Sequence, residues 1–149
     1  RGLSLLTGFA ILLFIGCDTA DQKIPEMAAD YCNCLADTEK SMSSKTKEIW
    51  KKVADAADAE TTMVNELAKL NNEDKVTVSA ELMTISKWRN KDSKVVRCMT
   101  DVDKKYEKAR IYDVKKFQEK LIRELESKTV CSFTASIMKV SMKVYDKKD

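Results

Sequence analysis

The chain has 149 residues, 34% of them charged and 44% hydrophobic, with a formal net charge of +3. That length suits one domain with a single modest core. Lysines interleaved with acids, as in Asp101, Asp103, Lys104, Lys105, Glu107 and Lys108, argue against the clustered basic face of a nucleic-acid-binding domain. All three glycines (Gly2, Gly8, Gly16) precede Cys17, so a sheet joined by tight primed turns is disfavoured and an all-α fold is expected.

Residues 3 to 15 carry no charge and follow Arg1. They fall short of the ~20 apolar residues that cross a bilayer as a helix, but match the hydrophobic region of an export signal. A start at arginine carries the expectation that an initiator methionine, with further basic residues, lies upstream. Polarity switches at Gly16 and Cys17, after which Asp18, Thr19, Ala20, Asp21, Gln22 and Lys23 are small or polar. Ile15, Gly16 and Cys17, with Phe14 where leucine is usual, resemble the lipobox of bacterial lipoprotein precursors. The resemblance implies cleavage before Cys17, a diacylglyceryl thioether on its sulfur and acylation of its new amine. Each buried methylene contributes about 0.8 kcal/mol, and two or more acyl chains anchor stably where one does not. The expected organisation is a removed signal peptide (1–16), a lipidated N-terminus with a flexible tether (17–23) and a helical domain (24–149).

Pro25 fits the first turn of a helix, and Glu26 beside it complements the helix dipole. Ala28, Tyr31, Leu35 and Met42 form the apolar stripe of that first helix. It is predicted to end in the Ser41 to Ser44 run, with Ser43 or Ser44 capping a second helix over 45–70. There Ile49, Val53, Ala56, Met63, Leu67 and Leu70 make a bundle seam that Glu60 interrupts. Asn71 and Asn72 form a turn, and Glu73 with Asp74 open a third helix. Its apolar positions are Val78, Ile85, Trp88, Val95, Met99, Val102 and Tyr106, with a break expected near Asn90 to Ser93 where Asp92 interrupts the pattern. Asp113 caps the last helical region, which carries Val114, Phe117, Leu121, Leu125, Cys131, Ala135, Met138, Met142 and Tyr145 and whose continuity through Ser127 to Thr129 stays open. About four helices with short connections predict an antiparallel up-down bundle.

Setting Cys17 aside, four of the five cysteines remain: Cys32, Cys34, Cys98 and Cys131. In an exported chain these thiols persist as disulfides, and four allow three pairings. Residues two apart on a helix point about 200° apart, which excludes Cys32 with Cys34. Two pairings stay open: Cys32 with Cys98 and Cys34 with Cys131, or Cys32 with Cys131 and Cys34 with Cys98. Opposed side chains also fit poorly to a tetrahedral zinc site, and a redox motif would be CxxC rather than CxC.

The chain contains no histidine, the commonest general base and metal ligand. Without glycine or histidine after Gly16, phosphate loops, nucleophile elbows and zinc-protease helices are ruled out. The carboxylate pairs Asp55 with Asp58 and Asp101 with Asp103 read as solvated, as do Lys139, Lys143, Lys147 and Lys148 beside Asp146 and Asp149. With the lipobox, the segments ADYCNCLADT (29–38), KVVRCMTDVDKKY (94–106) and LESKTVCSF (125–133) resemble small helical, cysteine-containing lipoproteins of Bacteroidota. The resemblance implies location and fold and is silent on activity. The expected protein is therefore a non-enzymatic module without cofactor, metal or nucleic acid. It is held in the cell envelope by lipid on Cys17, in the outer rather than the inner membrane, and binds another envelope protein through a helical face. The alternative is a carrier of a small apolar ligand or lipid, with a cavity lined by Met63, Met99, Met138 and Trp88.

Overall fold

Short polar side chains decide where the chain turns. In the computed structural model, which describes residues 20–109 and 114–146, Ser43, Asp58, Asn71 and Ser93 each begin a helix. Their side-chain oxygens accept from the backbone N–H groups of Thr46, of Glu60 and Thr61, of Asp74, and of Val96, respectively. Each cap supplies a partner that the first turn of a helix otherwise lacks. The helices are α1 (Ala20–Ser41), α2 (Ser44–Asp55), α3 (Ala59–Ala68), α4 (Asn72–Ser86), α5 (Lys94–Lys105), α6 (Val114–Glu126) and α7 (Ser132–Asp146). Single 3-10 turns cover Lys87–Arg89, Glu107–Ala109 and Thr129–Cys131, and no strand occurs among the described residues.

The all-helical class holds, but the chain is divided more finely than the expected four helices. The first helix begins at Ala20 and contains Pro25, so residues 20–23, expected as tether, are helical. Burial of Ile24 (5% exposed) and an ion pair from Lys120 to Asp21 at 2.5 Å hold this extra turn against α6. The helix expected over 45–70 is two. Ala56 adopts an extended conformation that ends α2, and Asp58 caps α3. Lys143 on α7 donates to the carbonyls of Ala54 and Ala56 at 2.6 and 2.5 Å, satisfying acceptors that the terminated helix leaves open. The break near Asn90 to Ser93 is present, and the last region divides at Ser127 and Lys128 into α6 and α7. Val114, expected on the core stripe, is 60% exposed. Asp113 lies outside the described residues.

Two apolar clusters result. The larger joins α1, α5, α6 and the start of α7, and includes Ile24, Met27, Ala28, Tyr31, Phe117, Leu121 and Leu125. The smaller joins α2, α3 and α4 around Ile49, Val53 and Val78. Helix α7 reaches both, with Ala135 and Met138 at the first and Val140 at the second. Between them Phe133 is buried edge-on to Trp50, at 6.5 Å, and to Trp88, at 6.4 Å.

Disulfides join Cys32 to Cys131 and Cys34 to Cys98, resolving the two pairings left open by the sequence. They close separations of 99 and 64 residues. Peptide mapping under non-reducing conditions checks this. No Lys or Arg lies between Lys23 and Lys40, so trypsin leaves both α1 cysteines in one peptide and cleavage after Asn33 is required to part them. The expected linked fragments are 32 with 131 and 34 with 98. Replacing either pair by serine should cost about 2–4 kcal/mol in denaturant unfolding.

Candidate functional site

Of the residues singled out in the sequence, Cys17 lies outside the described residues. Cys32, Cys34, Cys98 and Cys131 are brought together as two bridges that fasten α1 on opposite sides. Polar contacts reinforce the α1–α5 seam beside Cys34. The Tyr31 hydroxyl donates to the Asp103 carboxylate, and Asp30 accepts from Lys105 Nζ at 2.7 Å and from the Tyr106 hydroxyl at 2.8 Å. The Lys105 and Tyr106 hydrogen bonds hold the Asp30 carboxyl below its ordinary value.

A buried polar group lies where α1, α2 and the N-terminus of α7 converge. Glu39 is 9% exposed although it carries a carboxyl. It faces the Phe133 backbone N–H in the first turn of α7, where helix donors lack intrahelical partners. Glu39 Oε2, Trp50 Nε1 and the Thr134 hydroxyl have no hydrogen-bond partner among the described residues. Burial pushes the Glu39 carboxyl above its ordinary value, against the Phe133 N–H and the charge of Lys47, which pull it down. The sequence did carry the signal: Glu39 lies four residues after Leu35 and three before Met42, on the apolar stripe itself.

At the N-terminal end of α2, α4 is attached by Val78 and by Glu81. Glu81 accepts from the Ser43 backbone N–H at 2.8 Å and from the Ser43 hydroxyl at 2.7 Å. Burial alone would raise the Glu81 carboxyl, but hydrogen bonds from Thr46 and Ser43 outweigh it and hold the group below its ordinary value. Away from that contact α4 exposes apolar side chains: Val76 is 73% and Met83 65% exposed, and Val64 on α3 is 62% exposed. In the sequence the core pattern of α4 runs through Val78 and Ile85, while the second face is written in the same helical spacing.

The four residues proposed to line a carrier cavity are not assembled. Met99 and Met138 pack against the larger cluster, Met63 against the smaller, and Trp88 against Phe133. The breaks after α2 and after the Lys87–Arg89 turn send α3 and α5 to different cores. Among the described residues, two of the surface grooves lie along α6. One, of about 330 Å³, is lined by Asp21, Ile24, Pro25, Lys120, Arg123 and Glu124. The other, of about 450 Å³, runs between α2, α6 and α7 beside Asp55, Glu126 and Lys139. Lys139 bridges Asp55 and Glu126 across it. Among the described residues no group of three or more His, Cys, Asp or Glu is placed to hold a metal ion, and no helix is long and apolar enough to cross a membrane.

Comparison with known proteins finds no match: no protein-family model, no curated protein and no solved structure is significantly similar to the chain.

The Glu39 environment has a pH consequence. Its folded-state value lies above the unfolded one, so the folded protein holds a proton that the unfolded chain releases. Stability from this group is present at acid pH and is lost as pH rises through the folded value. Glu39→Gln should therefore raise the melting temperature at pH 7 by a few degrees, with the gain shrinking below pH 4.5, the group's ordinary value. Thermal unfolding at both pH values checks it; equal destabilisation at both would contradict the assignment.

Proposed function

We propose that the protein is a lipid-anchored component of a bacterial cell envelope, acting as a non-enzymatic interaction module that presents a helical face to another protein. The observation that carries the interaction reading is the solvent face of α4, where large apolar side chains stand exposed on a helix fixed by its other side. Exposed apolar groups gathered on one surface mark contact sites in soluble domains. Location is supported by the uncharged segment 3–15, by Ile15, Gly16 and Cys17, and by the pairing of every remaining cysteine, which suits an oxidising compartment.

On this reading residues 1–16 are the removed signal peptide, and the lipidated Cys17 lies three residues before Ala20, the first described residue of α1. Three residues span at most roughly 10 Å, so this end of α1 would rest close to the bilayer. Helix α1 then carries the chain about 33 Å to Ser43, where Glu81 holds α4. The exposed face of α4 would thus lie at the end away from the anchor. The carrier alternative has no comparable support, since its four residues are divided between two clusters.

Two measurements test the proposal in the native cell. Metabolic labelling with an alkyne fatty acid should mark the protein and fail on Cys17→Ser, which should also leave the membrane fraction. Cross-linking from a photoreactive residue at Met83 should capture a defined partner. Labelling unchanged by Cys17→Ser would sink the anchor, and only nonspecific neighbours would sink the interaction module.

A further inference from the structure

Helix α4 carries apolar side chains on two sides. Val78, buried completely, with Leu82 and Ile85, half-buried, faces the protein. Opposite them Glu73, Val76, Ala80, Met83 and Lys87 follow one another at spacings of three and four, and every one is exposed. Lys87 keeps helical backbone angles (φ −66°, ψ −20°), so it continues the same row. Such a row is the a and d seam of a two-helix contact, here without its second helix.

The row is complementary to itself when reversed. Glu73 lies seven residues before Ala80 and Lys87 seven after it; Val76 precedes it by four and Met83 follows it by three. A second α4 laid antiparallel, with the two-fold axis at Ala80, therefore sets Glu73 against Lys87 at both ends and brings Val76 within one residue of register with Met83 inside them. The smallest side chain of the row falls at the crossing, where two backbones approach most closely. A parallel pairing would oppose Glu73 to Glu73 and Lys87 to Lys87, which repel. An antiparallel arrangement also places each helix's negative end beside its neighbour's positive end.

From this self-complementarity we infer that α4 is a self-association surface, through which two copies of the chain pair antiparallel about a two-fold axis at Ala80. The inference rests on the interaction reading and names its partner as a second copy. The contact is isologous, as in most homodimers. One helix per copy buries less than the ~1,200 Å² of standard interfaces, so the dimer is weak. Anchoring both copies on one membrane would raise their effective concentration, but association in solution does not depend on it.

The test is sedimentation velocity on the disulfide-intact protein, carrying Cys17→Ser so that no acyl chain contributes, over roughly 1–300 µM. A reversible monomer–dimer equilibrium is expected. Ala80→Glu, at an exposed position, should leave helicity and melting temperature unchanged and abolish the dimer. Glu73→Lys or Lys87→Glu alone should weaken it roughly 3- to 30-fold, because each converts two attractions into repulsions; the two together should restore it. A monomer at every concentration, a dimer indifferent to Ala80→Glu, or a double swap as weak as the single ones would each overturn the inference. A monomer that still cross-links from Met83 to a different envelope protein would sink self-association and leave the interaction reading standing; no cross-link at all would sink both.

Discussion

Cys32 and Cys34 stand two residues apart on α1, so their side chains leave the helix about 200° apart, and each is bonded to a different part of the chain. Cys32 holds the Thr129–Cys131 turn that leads into α7, and Cys34 holds α5. One helix is thereby tied on opposite faces. On chain-entropy grounds the two closures, of 99 and 64 residues, differ by only about 0.4 kcal/mol because the dependence on length is logarithmic. Each contributes on the order of 2–4 kcal/mol, a large fraction of the ~5–15 kcal/mol that stabilises a typical domain. The Tyr31 contact to Asp103 and the Asp30 contacts to Lys105 and Tyr106 lie in the same α1–α5 seam, where the bridge already holds the two helices together.

Helix α7 extends this order to the rest of the molecule. It begins at the Cys131 bridge, places Phe133 between two tryptophans, contributes Ala135 and Met138 to the larger cluster and ends its inward side with Val140 at the smaller one. Lys139 and Lys143 tie it to the end of α2. What lies beyond is held more lightly. No residue of α3 is buried and Val78 is the one buried residue of α4, with polar links from Glu81 to the Ser43 cap and from Lys52 on α2 to Glu66 on α3 at 2.9 Å. Segments with few buried apolar contacts open most readily. A lightly held limb with an exposed apolar face is suited to contact a partner, while the stapled half keeps its shape.

Much of this was legible in the sequence. Absence of glycine after Gly16 excluded tight primed turns, periodicity marked Tyr31, Leu35, Ile49, Val53, Val102 and Leu121 as core, and the rotation between Cys32 and Cys34 ruled out one pairing. What was not legible depends on tertiary context. The seam from Ile49 to Leu70 reads as one helix because apolar spacing continues through 56–58; the break is made by Asp58 and stabilised by Lys143, far away in sequence. Pro25 reads as a helix start because local rules place proline in a first turn, yet burial of Ile24 and the Lys120 ion pair extend the helix before it. The choice between the two disulfide pairings turned on which helix lies on which side of α1, which no local pattern encodes. The polar position of Glu39 within an apolar stripe, and the second row on α4, were present in the spacing and passed over because the better stripe on each helix accounted for the core.

The bridged α1 organises the fold, and the α3–α4 limb hangs from it. Native-state hydrogen exchange, read residue by residue in the oxidised and the reduced protein, tests this most directly. Amides of α1, α5 and the first turns of α7 should be the slowest when oxidised and should lose most of their protection on reduction. Those of α3 and the solvent side of α4 should exchange fast in both states. Protection in α3 and α4 equal to that of α1, or an α1 whose exchange is unchanged by reduction, would contradict it.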